Sequence, residues 1–93
     1  MKLSTKSRYA VQAMVDLAKN GSDKPCNLTD ISLRQNISLS YLEQIFNKLK
    51  KSNLVFSIKG PGGGYSLSKS PNKIRISEII NGVEEKYKSN GLQ

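Results

Sequence analysis

The sequence predicts a mainly α-helical fold with a small β-hairpin, the winged helix-turn-helix. Three observations lead there. Helix-period apolar patterns occupy the first half of the chain, the second and third of them separated by only a short polar turn. Two short runs of strand-forming residues follow. Between those runs lies the octapeptide KGPGGGYS, residues 59–66, which holds four of the seven glycines. Two short helices joined by a tight turn and followed by a hairpin form a winged helix-turn-helix, in which the third helix is the recognition helix and the hairpin is the wing. At 93 residues the chain suffices for one small domain with one core.

From Lys6 to Lys19, the residues Tyr9, Ala10, Ala13, Met14, Leu17 and Ala18 recur at spacings of one, three and four. This is an amphipathic helix, with Asn20-Gly21 as its stop and Ser22–Pro25 as a loop. Asn27 is expected to cap a short helix ending near Gln35, with Asp30 in its first turn where the helix dipole favours a carboxylate. Asn36 is a plausible left-handed residue in the turn that follows. The third helix carries Leu39, Leu42, Ile45, Phe46 and Leu49 on one face and ends near Ser52-Asn53. Its cap is either Ser38, or Ser40 in a capping box with Glu43. Leu54–Ile58 and Tyr65–Ser68 read as strands, which makes the glycine-rich segment a hairpin tip. Ile74–Ile76 is expected to form a further short strand, and Ser77 to cap a last helix through Glu78, Ile79, Ile80 and Val83. The domain is thus residues 1–85, and residues 86–93 are expected to be a frayed tail.

Fifteen basic and seven acidic residues give a net charge of +8 and an isoelectric point near 9.8. Such a balance points to a polyanionic partner. No apolar run approaches membrane-spanning length. Gln12 and Asp16 interrupt the apolar residues of the N-terminal segment, which therefore lacks a signal-peptide core, and a cytoplasmic location is expected. One cysteine, Cys26, and no histidine exclude an intramolecular disulfide and disfavour a zinc site within one chain. The missing histidine also removes the commonest general acid/base, so no catalytic residue is expected.

The glycine-rich tip is not a nucleotide loop: no Lys-Ser/Thr and no helix follow it. Pro61 stiffens it, which argues against a linker. A hairpin needs positive φ at some positions, but a tip of Gly60, Pro61, Gly62 and Gly63 without bulky side chains also suits a narrow minor groove, with Lys59 supplying charge. Between Gln44 and Ser77 there are seven basic residues and no acidic ones: Lys48, Lys50, Lys51, Lys59, Lys69, Lys73 and Arg75. Lys2, Lys6 and Arg8 form a second basic group. At the start of the recognition helix, Ser38, Ser40 and Gln44 suit base edges, and Glu43, which repels phosphate and accepts from a donor such as cytosine N4, suits discrimination. Cys26 reads as a small half-buried apolar residue, with nothing electropositive beyond Lys24 evident nearby.

Three segments, MKLSTKSRYAVQAMVDLA, DISLRQNISLSYLEQIFNKLKKSNLV and KGPGGGYSLSK, resemble the family of bacterial winged-helix regulators that contains the iron–sulfur cluster regulator IscR, the nitric-oxide sensor NsrR and the cysteine-metabolism repressor CymR. The resemblance is closest to the IscR branch and runs from residue 1 to about 85. It implies base contacts from Ser38, Ser40 and Gln44, selectivity from Glu43, and minor-groove insertion of the wing through Lys59. It implies phosphate contacts from Tyr41 and from the N-terminal segment, here Lys2, Ser4, Lys6, Arg8 and Tyr9. Family members usually carry Arg where Lys59 stands, and Lys is the more strongly hydrated reader. Asn36, Asn53 and Ser7 stand where glycines are common. The family's dimerisation helix and three-cysteine iron–sulfur loop would begin beyond residue 85, and Cys26 matches no ligand position, so no cofactor is expected in this chain.

The expected function is that of a DNA-binding transcriptional regulator, a repressor, bound to double-stranded DNA at palindromic promoter sites, as a homodimer or with a longer paralogue. The alternative is a protein–protein module that modulates a full-length paralogue, which an exposed stripe of Ile79, Ile80 and Val83 would favour. A nonspecific RNA-binding domain lacks the aromatic platforms that RNA readers use.

Overall fold

The computed structural model describes residues 3–84. Helices α1 (Thr5–Asn20), α2 (Leu28–Gln35) and α3 (Leu39–Lys51) precede strands β1 (Val55–Ile58) and β2 (Gly64–Leu67); a 3-10 turn at Pro71–Lys73 leads into α4 (Ile76–Glu84). This is the winged helix-turn-helix: four helices around one core, with an antiparallel two-stranded wing. The expected tail, residues 86–93, lies outside the described residues.

The side-chain caps decide where each of the first three helices starts. Ser4 Oγ accepts the Ser7 N–H (3.0 Å), so α1 begins one residue before Lys6. Gly21 ends α1, its N–H donating to Leu17 O. Asn27 Oδ1 accepts the Asp30 N–H (2.9 Å) at the start of α2. Asn36, at φ 56° and ψ 47°, takes the left-handed conformation that ends α2; Asn53, at φ 63°, does the same after α3. At the start of α3 the cap is Ser38, whose Oγ accepts the Tyr41 N–H at 3.2 Å. Ser40 already lies inside the helix, so Glu43 is not part of a capping box.

The core joins Ala10, Ala13, Met14 and Leu17 of α1 to Ile31 of α2, Leu42, Ile45, Phe46 and Leu49 of α3, and Ile79 and Val83 of α4. Each of the larger side chains among these, from valine to phenylalanine, contributes about 1.5–3 kcal/mol by leaving water. Leu39, expected on this face, sits at its margin and is exposed. Ile79 and Val83 are buried in the core and Ile80 is half-buried, so the stripe that would favour a protein-pairing module faces inward.

Two expectations for the segment after the wing are corrected. No strand forms at Ile74–Ile76: Ile74 is extended, but Ile76 is the first residue of α4. The edge of β2 away from β1 is bridged by Cys26, so it offers this segment no ladder to join. Ser77 does not cap the last helix either. It lies within the first turn, where the Glu78 carboxylate accepts the Arg75 N–H at 2.9 Å and draws a second interaction from Lys69 Nζ at 3.3 Å. Both hold the Glu78 carboxyl below its ordinary range.

The wing pairs Val55 with Leu67, Phe56 with Ser66, Ser57 with Tyr65 and Ile58 with Gly64. Its second strand is tied to the connection between α1 and α2: Cys26 N–H donates to Tyr65 O (3.0 Å), and Tyr65 N–H to Cys26 O (2.8 Å). Tyr65 also stacks obliquely on Phe46, with centroids 4.9 Å apart. Cys26 is therefore buried more completely than expected, at 7% exposure.

Candidate nucleic-acid interface

The recognition helix divides into two faces. Leu42, Ile45, Phe46 and Leu49 point into the core, while Ser40, Glu43, Gln44 and Asn47, spaced i, i+3, i+4 and i+7, form an exposed polar row. Hydroxyl, carboxylate and two amides in one row offer both donors and acceptors to base edges. Asn47 was missed from sequence, although its spacing from Ser40 and Gln44 was the available signal. Ser38 is exposed and its oxygen is occupied by the Tyr41 N–H, which leaves the hydroxyl hydrogen able to donate.

The start of α1 lies beside the start of α3. Tyr9 and Tyr41, both half-buried, meet edge to face with centroids 5.6 Å apart and an interplanar angle of 74°. Arg8 is exposed and Lys6 half-buried on the same stretch. Ser4 is engaged twice, accepting from Ser7 N–H and donating to the Glu84 carboxylate. Lys48 is half-buried on α3, and Lys50 Nζ reaches Ser57 Oγ at 3.0 Å, linking α3 to the wing. Lys2 lies outside the described residues.

At the wing tip Lys59, Gly60, Pro61 and Gly62 are exposed and Gly63 is half-buried. Gly63 N–H donates to Gly60 O (2.9 Å), closing a turn with Pro61 second and Gly62 third, at φ 75°. That is the residue order of a type II turn. A Cβ on Gly63 would fall 2.2 Å from Ile58 O, and one on Gly64 would fall 2.3 Å from Cys26 O. The glycine density therefore has reasons internal to the hairpin, and the expectation that the tip is bare in order to meet DNA is not needed to explain it. The tip nonetheless offers an exposed, stiff loop with one basic side chain at its base.

Behind these surfaces a buried acid fixes α1 to α2. Asp16, 3% exposed, accepts from Arg34 Nη2 (2.7 Å) and Nε (3.0 Å) and from Gln35 Nε2 (2.9 Å). The Arg34 guanidinium holds the Asp16 carboxyl below the usual carboxylate range, against the upward push of burial, and Asp16 in turn keeps Arg34 charged. Arg34 Nη2 also lies 3.9 Å from Cys26 Sγ, so a cation stands nearer this thiol than the sequence suggested. The signal for this network was Asp16 itself, an acid set among Ala13, Met14 and Leu17 on an otherwise apolar face.

No helix among the described residues is long and apolar enough to cross a membrane. Residues 3–91 match the Rrf2 family, described as an iron-dependent transcriptional regulator. The HTH-type transcriptional regulator IscR of Cronobacter sakazakii is 54% identical over 85 residues, which is 91% of this chain and 52% of that protein. The chain thus spans about half the length of the curated relatives it matches. Among solved structures, the B. subtilis global cysteine regulator CymR superposes with a TM-score of 0.87 at 36% identity, over 100% of this chain and 72% of that one. T. potens IscR gives 0.84 at 40% identity, over 100% of this chain and 64% of its own. The described residues do not fit an iron–sulfur cluster. Cys26 is the single cysteine of the sequence and is buried, and among the described residues no three His, Cys, Asp or Glu side chains converge.

Proposed function

Since the chain belongs to the Rrf2 family of transcriptional regulators, we propose that it is a sequence-specific DNA-binding repressor of the IscR kind, acting in the cytoplasm on palindromic promoter sites. The observation that carries this reading is the exposed row Ser40, Glu43, Gln44 and Asn47 on α3, backed by a fully apolar buried face. With α3 in the major groove, Gln44 and Asn47 pair bidentately with adenine edges, Ser38 donates, and Ser40 donates or accepts. Glu43 penalises sites that present only acceptors, because its carboxylate is free of any capping role. The wing lies over the adjacent minor groove with Lys59 as its cation, and Lys6, Arg8 and Tyr41 hold phosphates. No step of this is catalytic.

A palindromic site requires two reading heads at fixed spacing. A dimer, of this chain or with a longer relative, therefore binds such a site far more tightly than one head does. The test is a fluorescence titration, at fixed salt, of a duplex carrying a palindromic IscR-type promoter against a scrambled duplex of equal length. Preference for the palindrome supports the reading. Equal affinity for both removes the specific-regulator function and leaves only a basic domain that binds DNA by charge.

A further inference from the structure

We infer that Glu84 is a positioning residue for DNA binding: from α4 its carboxylate fixes the first turn of α1, and with it Lys6 and Arg8, beside the first turn of the recognition helix. The inference rests on the DNA-binding reading above, and the experiment separates the two.

Ser7 is wholly buried, and a buried hydroxyl without a partner is costly. Its Oγ donates to Glu84 Oε2, and Ser4 Oγ donates to the same carboxylate oxygen. Ser4 Oγ simultaneously accepts the Ser7 N–H at 3.0 Å. Ser4, Ser7 and Glu84 thus close a ring of three hydrogen bonds around the start of α1, and the two that end on the carboxylate are charge-assisted. That helix has no acidic residue in its own first turn. Glu84 supplies from another element the negative charge that a helix N-terminus favours. One turn further along α1, Tyr9 packs edge to face on Tyr41, the residue whose N–H is capped by Ser38. A continuous set of contacts therefore runs from α4 through the first turns of α1 to the start of α3.

Lys6 and Arg8 flank Ser7 in the chain, so the ring fixes the backbone from which both cations project. A carboxylate so close to phosphate-contacting residues opposes DNA by charge alone. Positioning and simple electrostatics therefore predict opposite signs for the loss of Glu84.

The test measures binding of random-sequence duplex DNA by the full chain over a series of salt concentrations, with thermal melts in parallel. Glu84→Ala is expected to weaken binding about five- to tenfold near 0.1 M salt and to reduce the slope of log K against log salt by about 0.9, the value of one lost phosphate contact. Glu84→Gln, which keeps a hydrogen-bond acceptor without the charge, is expected to bind within about twofold of the unaltered chain or tighter, with an unchanged slope. Ser7→Ala shifts the slope in the same direction as Glu84→Ala and carries the test if that variant does not fold. Val83→Ala, a core truncation on the same helix, lowers the melting temperature and leaves the slope unchanged. Binding by Glu84→Ala at or above the unaltered level would overturn the inference. So would a Val83→Ala slope matching that of Glu84→Ala, or an unchanged slope in Ser7→Ala. Failure of the unaltered chain to bind duplex DNA removes the DNA-binding reading itself, and this inference with it.

Discussion

Single residues on the exposed face separate affinity from selectivity. Lys59 is one exposed cation on a stiff turn, so Lys59→Ala is expected to weaken binding on every sequence and to lower the salt slope by about 0.9. Glu43 has no capping duty, so Glu43→Ala is expected to change which sites are accepted while the melting temperature stays within a few degrees. Competition titrations over a set of single-base site variants check this; an unchanged ranking would strip Glu43 of the role. Asp16 works on stability instead. Asp16→Ala leaves Arg34 and Gln35 without their shared acceptor and is expected to cost about 2 kcal/mol in urea unfolding. Because the folded-state pKa of Asp16 is depressed, its contribution is present above the unfolded-state value of about 3.9 and is lost as pH falls through the lower folded value. Stability is thus expected to hold near neutrality and to fall below about pH 4, less steeply in Asp16→Asn. The partners of Asp16 could not be read from sequence, because α1 and α2 approach only once the core has closed.

At the scale of elements, the wing's glycines are not equivalent. Gly62 faces open space and is required by its positive φ, so Gly62→Ala is expected to cost about 1 kcal/mol and to leave the pairing intact. Gly64 combines a φ of 149° with backbone contact to Cys26, so Gly64→Ala is expected to cost more and to break the Cys26–Tyr65 bridge. Denaturant titration together with amide exchange at Cys26 and Tyr65 distinguishes these outcomes. The bounds of α2 were legible because capping is local: Asn27 and Asn36 each act on atoms within a few residues, whereas the start of α3 was left open between Ser38 and Ser40 because either hydroxyl suits an N-cap. The row on α3 was largely legible, since helical periodicity fixes which residues share a face. The region after the wing was not. Ile74-Arg75-Ile76 has strand composition, but whether it pairs depends on a vacant sheet edge, and Cys26 bridges that edge from roughly fifty residues earlier in the chain. The last helix starts at Ile76, before the expected cap Ser77, and the Glu78 carboxylate reaches back to the Arg75 N–H instead, a contact that the pattern around Ser77 did not single out.

Over the whole molecule, a charge of +8 on 93 residues makes salt the dominant experimental variable for any polyanion partner. The wing is anchored to the α1–α2 connection through Cys26 and Tyr65, to the core through Phe46, and to α3 through Lys50. The first of these closes a loop of roughly forty residues, whose entropy must be met before its two hydrogen bonds form. Helices α1, α2 and α3 nucleate on local contacts, whereas the hairpin gains its tether only after α1 and α2 have docked. The wing is therefore expected to be the last part of the domain to fold. In kinetic terms, substitutions at Tyr65 should accelerate unfolding while leaving the folding rate nearly untouched, and those at Phe46 should slow folding as well.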